Sequence, residues 1–182
     1  MVDLKVENTL LTIIDMQEKL VPVMENPELV TKKVGILVRA AREMSLEVVV
    51  TQQYPKGLGD TLAVIQEALP PESETVDKVC FSCFDSPKYR SVVEKKGKKN
   101  LIFVGVEAHV CVMMTAVAAV DAGYTVWVLN DAINSRTMKD RLASLGFMRS
   151  QGVNLISTES LIFLLLKTAA HPAFKSVQAL LK

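Results

Sequence analysis

Six short strand-like runs, separated by longer segments with helical signals, constrain the fold of this chain more than any other feature. The runs are TLLTIID, LEVVVT, ETVDK, NLIFVGV, YTVWVL and VNLIS, and they end at or near Asp15, Thr51, Lys78, Val106, Leu129 and Ser157. Several of them are apolar at successive positions, which is typical of strands that are covered on both faces. Their alternation with helices predicts an α/β fold, a three-layer α/β/α architecture around a six-stranded parallel, Rossmann-like sheet.

Helix boundaries are marked by Asn, Asp, Pro and Gly residues. Asn26 precedes a proline and Asp85 begins the sequence DSP, so each offers an N-cap for a helix. Gly97 and Gly123 stand where helices should end, each just before a strand. A final helix is expected over about residues 172–181.

Length and charge limit the classes of function. A chain of 182 residues without a linker-like segment is predicted to form one domain, residues 1–182. Its 21 basic and 20 acidic side chains nearly cancel, which argues against nucleic-acid or anionic-membrane partners. The longest apolar run, SLIFLLL, is far shorter than a membrane span. An odd number of cysteines, three, and an N-terminal stretch unlike a targeting segment favour a soluble, cytoplasmic protein.

The ends of the predicted strands carry the reactive side chains. Ligands of such folds bind beyond the carboxyl ends of the strands, where Asp15, Lys78 and Cys111 lie. A thiol at the start of a helix and near a lysine is expected to favour the thiolate, and a carboxylate can shuttle its proton. Gly105 allows a tight backbone path, so that N–H groups could converge on an oxyanion. This combination predicts an acyl-transfer site.

Each of these residues also has a purely structural interpretation. Cys111 on an Ala-rich helix could be a small core residue, Asp15 a turn or cap residue, and Lys78 a solvated surface charge. Only their joint placement at strand ends favours catalysis. His109 is two residues from Cys111, and two such residues in a helix point to different faces. His109 is therefore expected to shape a pocket wall or cap a helix more often than to act as a base. The CFSC motif at 80–83 has redox spacing, but it is interpreted as packing beside the site.

Four sequence blocks resemble those of the isochorismatase-like cysteine hydrolases. They are LLTIIDMQEKLVP, VDKVCFSCF, VGVEAHVCVMMTAVAAVDAGYTVWVLNDAINSR and LISTESLIF, and TQQYPKGLG and EAHVCV are most similar to the branch of isochorismatase domain-containing proteins. The resemblance implies a catalytic triad of Asp15, Lys78 and Cys111. It also implies a cis peptide at Val106–Glu107, and an oxyanion hole formed by the backbone N–H groups of Glu107 and Cys111.

The same resemblance implies a substrate class. Where nicotinamidases carry metal-binding histidines, this chain has the sequence QQYP at 52–55, so no metal and no cofactor is expected. Retention of Cys111 points to thiol chemistry on a C–N bond of a small amide or carbamoyl-type molecule. The matching motif positions make Gln17, Val106, Glu107 and Val110 the candidates for substrate binding. Relatives commonly form oligomers, so a homo-oligomer is expected. A binding protein that has lost turnover, and a ribonuclease, remain the alternatives.

Overall fold

A six-stranded parallel sheet forms the centre of the structure, which is a computed structural model that describes residues 3–182. Met1 and Val2 of the predicted domain lie outside the described residues. The strands are β1 (Thr9–Ile14), β2 (Glu47–Gln53), β3 (Glu74–Lys78), β4 (Asn100–Val106), β5 (Thr125–Asn134) and β6 (Asn154–Ile156). Their order is β3-β2-β1-β4-β5-β6, and every neighbouring pair is parallel. The predicted α/β fold with a six-stranded parallel sheet is confirmed.

Helices cover both faces of this sheet. They are α1 (Pro27–Met44), α2 (Pro55–Leu58), α3 (Ala63–Gln66), α4 (Pro87–Lys96), α5 (Met113–Asp121), α6 (Met138–Ser150), α7 (Thr158–Leu166) and α8 (Phe174–Leu180). Helices α1, α3, α7 and α8 pack with one apolar core, and α4, α5 and α6 pack with a second core on the opposite face. No helix among residues 3–182 is long and apolar enough to cross a membrane.

Strand β1 shows why consecutive apolar residues specify a central parallel strand. Leu11 and Ile13 belong to the core under α1, whereas Leu10 and Ile14 belong to the core under α4 and α5. Successive side chains of a strand point to opposite faces, so a strand covered on both sides needs apolar residues at every position. All six residues of β1 are buried.

The strand order reverses between β1 and β4, and the backbones approach each other very closely there. Ile14 is paired with Gly105, whose φ is +130°. A Cβ atom at Gly105 would lie 2.0 Å from the Ile14 carbonyl oxygen, so any larger residue would force the two strands apart. In a sheet of this order, the crevice at the carboxyl ends of β1 and β4 is the usual place for a ligand.

Strand β5 is longer than the sequence indicates. It was expected to end at Leu129, but it continues to Asn134 through a register shift relative to β4. The polar residues at the shift do not end the strand because Asp131 is held by tertiary contacts. It accepts hydrogen bonds from the backbone N–H and hydroxyl of Thr158 at the start of α7, at 2.7 and 2.8 Å. Its second oxygen is paired with Lys33 of α1 at 3.2 Å.

Three local expectations need correction. Ser86, and not Asp85, caps α4, since its hydroxyl accepts from the N–H of Tyr89 at 3.4 Å. Cys111 lies in a π-helical turn, Ala108–Val112, that precedes α5, and such turns are frequent at functional sites. The final helix begins at Phe174, two residues later than expected.

Candidate active site

Strained backbone conformations mark the carboxyl ends of three adjacent strands. Asp15 follows β1 with φ +55°, Tyr54 follows β2 with φ +38°, and Glu107 follows β4 with φ +55°. Residues other than glycine rarely adopt the left-handed conformation, and they cluster at functional sites where surrounding contacts maintain them. At Asp15 these contacts are two main-chain hydrogen bonds. The Asp15 N–H donates to the Thr51 carbonyl at 3.1 Å, and the Asp15 carbonyl accepts from the Gln17 N–H at 2.8 Å.

The structure brings Asp15 and Lys78 together in a fully buried ion pair. The Lys78 Nζ lies 2.7 Å from Asp15 Oδ2, and both side chains have no exposed surface. Lys78 also donates to Gln53 Oε1 at 2.8 Å and to the Cys80 carbonyl at 3.3 Å. Burial lowers the pKa of Lys78, but the Asp15 carboxylate and the nearby sulfurs of Cys83 and Cys111 together outweigh burial, so the pKa is raised. The surface role that the sequence left open for Lys78 is wrong.

Cys111 completes the cluster from the other side of the crevice. Its side chain is buried, with only 3% of the residue exposed, and it packs with the apolar core beneath α5. Burial raises the pKa of the Cys111 thiol above its ordinary value. The Asp15 carboxylate raises it further through its charge and a side-chain hydrogen bond, and Lys78 lowers it. Asp15, Lys78 and Cys111 therefore influence one another electrostatically in this crevice.

The direction of the Cys111 pKa is opposite to the one expected for a preformed thiolate. Burial of the thiol is the main cause, and the Asp15 carboxylate adds to it. The positive charge of Lys78 lowers the pKa less, because it is already paired with Asp15 at 2.7 Å. The position in a π-helical turn ahead of α5 does not compensate for the burial. The arrangement fits a neutral thiol with a carboxylate base beside it.

Two polar residues of β2 support this cluster and were not identified as site residues from the sequence. The Thr51 hydroxyl donates to Asp15 Oδ1 at 2.8 Å, so both carboxylate oxygens of Asp15 have a partner. Gln53 accepts from Lys78 and donates to the Val79 carbonyl at 2.9 Å. The sequence signal that could have identified Thr51 and Gln53 is their position at the carboxyl end of a predicted strand. This signal does not tell which of the consecutive polar residues points into the crevice, because that depends on the pleat of the strand.

The CFSC segment places one thiol in the core and one near the surface. Cys83 is fully buried, and its sulfur lies 3.9 Å from the Thr51 hydroxyl. Burial raises the pKa of Cys83 to about 12. Cys80 is half-buried, and all three cysteines are free thiols. The segment does not form a disulfide in this structure, in agreement with its interpretation as packing beside the site.

The predicted oxyanion hole lies in the turn between β4 and α5. Every peptide bond in residues 3–182 is trans, so the expected cis bond at Val106–Glu107 is absent. The change in chain direction comes instead from the left-handed conformation of Glu107, whose carbonyl accepts from the N–H groups of Val110 and Val112 at 2.9 and 3.3 Å. The role of the Glu107 and Cys111 N–H groups in binding an oxyanion stays a prediction.

The remaining candidates for substrate binding are placed differently from one another. Gln17 is fully buried, and its amide accepts from the Gln53 N–H at 2.7 Å and donates to the carbonyls of Gln53 and Gly59 at 3.0 and 2.7 Å. These bonds make it a support for the segment after β2. Val106 is buried in the core under α1, whereas Val110 is partly buried against the core under α4 and α5. Contact of Gln17, Val106 or Val110 with substrate stays a prediction.

His109 does not face the thiol as a base. Its Nδ1 lies 3.0 Å from the Ser135 hydroxyl oxygen, and its Nε2 lies 3.3 Å from the guanidinium of Arg136. Because arginine can only donate, Nε2 must accept, and the ring proton is then on Nδ1 and is donated to Ser135. Arg136 also lies 3.1 Å from Glu107 Oε1. Ser135 and Arg136 were missed in the sequence because β5 was expected to end at Leu129.

An open cavity of about 540 Å³ lies beside this cluster. Its lining includes Tyr54, Lys56, Asp77, Lys78, Cys80 and Asp85. The QQYP segment at 52–55 matches the stretch that carries metal-binding histidines in nicotinamidases. Here Gln52 contacts Thr61 and Gln53 contacts Lys78. Within residues 3–182, no group of three or more His, Cys, Asp or Glu side chains converges in a way that could hold a metal ion.

Comparisons with known proteins agree on one family. The model of the isochorismatase domain matches residues 9–160. Isochorismatase domain-containing protein 2 of Bos taurus is 36% identical over 177 residues, which cover 96% of this chain and 83% of that protein. The solved structure of MAR1 ribonuclease from Caenorhabditis elegans is 35% identical with a TM-score of 0.93, over 98% of this chain and 92% of that one.

A more distant solved structure shares the fold. The YcaC gene product of Escherichia coli, an octameric hydrolase of unknown specificity, has a TM-score of 0.93 at 20% identity, over 99% of this chain and 91% of that one. The family model covers well over half of the chain, and the similarity to the bovine relative extends over 96% of this chain. The chain belongs to the isochorismatase family.

Proposed function

We propose that this protein is a metal-independent cysteine hydrolase that cleaves a C–N bond of a small amide or carbamoyl-type substrate through a covalent acyl-enzyme. The observation that carries the proposal is the fully buried ion pair of Asp15 with Lys78. Cys111 is buried near enough for the Asp15 carboxylate to raise the pKa of its thiol. Desolvation of a buried ion pair can cost more free energy than the attraction between its charges returns, so the pair is weak evidence for a role in stability. Titratable groups with perturbed pKa values in a crevice at strand ends are typical of catalytic sites.

Asp15 acts as the general base in the first step. It accepts the proton from the Cys111 sulfur as that sulfur attacks the substrate carbonyl carbon, so that the thiolate forms only as it is consumed. The carbonyl oxygen becomes an oxyanion, which the backbone N–H groups of Glu107 and Cys111 stabilise. Lys78 keeps Asp15 in position and balances its charge while the proton moves.

The proton held by Asp15 then completes the cleavage. It is transferred to the substrate nitrogen, the C–N bond breaks, and the amine leaves as a neutral molecule while a thioester remains on Cys111. Water attacks the thioester with Asp15 again as the base, the C–S bond breaks, and the thiol recovers its proton. An amine is a poor leaving group unless it is protonated, so a proton carrier next to the nucleophile suits C–N cleavage.

Hydrolysis by the wild-type protein and two cysteine variants tests this function. A panel of small amides, carbamoyl compounds and esters is incubated with wild type, Cys111→Ala and Cys80→Ala, and the released amine or acid is measured. Cys111→Ala should lose activity by roughly a thousandfold or more, as expected when the nucleophile is removed. Cys80→Ala is the matched control. Cys80 is a free, half-buried thiol at the edge of the site, and it contacts Lys78 only through its backbone carbonyl, which the substitution keeps, so the variant should keep most of the activity.

Equal, background-level rates for wild type and Cys111→Ala across the whole panel would favour the alternative of a binding or scaffold protein on the same fold. Mass spectrometry after brief treatment with iodoacetamide is an independent check. The proposal expects Cys111 to be modified despite its burial, since Asp15 can take its proton. If only Cys80 or Cys83 is modified, the nucleophile is assigned to the wrong residue.

The name of the Caenorhabditis elegans relative makes ribonuclease activity the second candidate. Such an activity predicts RNA binding that weakens steeply with salt, because phosphate contacts release counterions. The balanced charge of this chain, +1 at pH 7, does not favour it. Cleavage of a labelled RNA by wild type but not by Cys111→Ala, with salt-dependent binding, would replace the amidase proposal.

A further inference from the structure

One carboxylate oxygen at the mouth of the candidate site has no partner. Glu107 Oε2 is buried, and among the described residues it accepts no hydrogen bond. The side chain as a whole is 13% exposed. A buried carboxylate oxygen without a donor is costly, because it has lost its water and gained nothing in exchange. Such groups are rare in folded proteins, and each requires an explanation.

The other groups around Glu107 hold it in place but do not satisfy this oxygen. Arg136 Nε lies 3.1 Å from Oε1, which fixes the carboxylate through its other oxygen. His109 Nδ1 is 3.6 Å from Oε2, beyond hydrogen-bond distance, and its proton is directed to the Ser135 hydroxyl at 3.0 Å. The opposite nitrogen of His109 contacts the Arg136 guanidinium at 3.3 Å, so the ring cannot turn towards Glu107 without breaking that contact.

The backbone places Glu107 directly before the turn that carries Cys111. The Glu107 carbonyl accepts from the N–H groups of Val110 and Val112 at 2.9 and 3.3 Å, so Glu107 and Cys111 are one turn apart in the same hydrogen-bonded loop. Only three residues, Ala108 to Val110, separate Glu107 from Cys111. The left-handed φ of +55° at Glu107 is a strained conformation, maintained where the surroundings require it.

We propose that Glu107 Oε2 accepts a hydrogen bond from an N–H group of the substrate, which makes Glu107 a specificity-determining residue. This inference rests on the proposed hydrolase function and narrows it to neutral substrates that carry a free N–H, such as primary amides and ureido compounds. The cations nearby do not favour a substrate carboxylate, since Lys78 is paired with Asp15 and Arg136 is paired with Glu107. An unpaired acceptor in a site also rejects molecules that lack the matching donor.

The test uses two related alkylating reagents, of which only one carries an N–H donor. Iodoacetamide presents an NH₂ group, and its N,N-dimethyl derivative presents none. With either reagent a C–S bond forms at Cys111 and iodide leaves with the bonding electrons. The second-order rate at Cys111 is measured by mass spectrometry of the peptide that contains it. Each rate is divided by the rate of the same reagent with a small free thiol at the same pH, which removes the intrinsic difference in reactivity.

In the wild type the normalised rate should be roughly tenfold or more higher for iodoacetamide, the size expected for a hydrogen bond to a charged group. In Glu107→Gln this preference should fall to about a third or less, since the charge is lost while size and the contact with Arg136 are kept. Rates at Cys80 in the same samples are the internal control, and they should show no preference in either protein. A thermal melt of Glu107→Gln confirms that the variant is folded.

The outcomes separate this inference from the function on which it rests. If Cys111 reacts but the wild type shows no preference, or Glu107→Gln keeps the full preference, the role of Glu107 is overturned and the hydrolase proposal stands. The wild-type comparison decides the matter even if Glu107→Gln does not fold. If Cys111 reacts with neither reagent, the proposal of a cysteine nucleophile fails, and the inference fails with it.

Discussion

At the scale of single residues, the candidate site depends on one buried carboxylate. Asp15 receives a hydrogen bond from Thr51 on one oxygen and from Lys78 on the other, and it faces the thiol of Cys111. A buried ion pair contributes little net stability when it is complete, but removal of one partner leaves an uncompensated charge. Changes at Thr51 and Lys78 should therefore affect both stability and the reactivity of the thiol.

Lys78→Met should raise the pKa of Cys111 further, because Lys78 is the neighbour that lowers it. The sign follows from charge: without the ammonium, the thiolate loses its stabilising cation, so alkylation at a given pH slows and the rate curve shifts to higher pH. The variant should also lose about 3–5 kcal/mol of stability, because Asp15 is left buried and unpaired. Iodoacetamide rates at Cys111 between neutral and alkaline pH, with a denaturation curve for each protein, measure both effects. Superimposable rate curves would exclude Lys78 from the site.

Thr51→Val should remove one hydrogen bond to Asp15 without changing the shape of the site. We expect a loss of about 1–3 kcal/mol of stability. We also expect slower alkylation of Cys111, because Asp15 loses one of the two side-chain contacts that hold its carboxylate in place. Thr12→Val is the matched control: Thr12 is equally buried, but its hydroxyl contacts the Tyr89 hydroxyl at 2.8 Å. That control should lose stability and leave the alkylation rate unchanged. Equal alkylation rates in both variants and the wild type would contradict a role for Thr51 in the site.

At the scale of secondary-structure elements, the distance between β1 and β4 determines whether Asp15 and Cys111 can meet. Asp15 comes directly after Ile14 of β1, and the Cys111 turn follows β4 after a single residue, Glu107. Ile14 is paired with Gly105, and only a glycine allows this approach. The two strands therefore hold Asp15 and Cys111 at a separation that a side chain at position 105 would increase.

Gly105→Ala should cost at least about 1–3 kcal/mol of stability, because the new Cβ would overlap the Ile14 carbonyl in a packed core. It should also reduce alkylation of Cys111 and hydrolysis, because β1 carries Asp15 away from the thiol. Gly97→Ala is the control: Gly97 also has positive φ, +62°, but a Cβ there would meet nothing within 4 Å. It should cost only about 1 kcal/mol, from backbone strain, and leave the site intact. A Gly105→Ala protein with wild-type stability and reactivity would show that the strands tolerate separation.

At the scale of the whole molecule, the outer face of α7 exposes large apolar side chains. The helix buries Leu161, Ile162, Leu165 and Leu166 in the core under α1. Phe163 and Leu164, on the other side, are each 41% exposed. Large apolar side chains clustered on one face favour association with another molecule. The homo-oligomer stays a prediction, and we expect it to use this face.

Light scattering at micromolar concentration should give a mass that is a multiple of 20.0 kDa for the wild type. Phe163→Glu should reduce this mass, since a charge would have to be buried in the interface. Leu142→Glu is the control, because Leu142 is 58% exposed on α6, in the opposite layer. A monomeric wild type would contradict the oligomer, and a mass that falls only in Leu142→Glu would move the interface to the opposite layer.

The sequence by itself determined the class of fold and pointed to three candidate site residues. Consecutive apolar positions in runs such as TLLTII can only be satisfied when both faces of a strand are covered, so the parallel sheet followed from local pattern. Parallel strands bring their carboxyl ends to one edge, and this alone placed Asp15 and Lys78 in reach of each other. Pattern and strand direction are properties of the chain, which is why they could be inferred without coordinates.

The tertiary structure decided the ionisation of the site and the partners of its polar groups. Helix position and a nearby lysine suggested a thiolate at Cys111, but the pairing of Lys78 with Asp15 and the burial of the sulfur favour the thiol. The end of β5 was misplaced because Asp131 is satisfied by Thr158, a residue distant in sequence. For the same reason Arg136 and the unpartnered oxygen of Glu107 could not be foreseen. Charge and hydrogen bonding depend on distances between elements, and those distances exist only in the folded molecule.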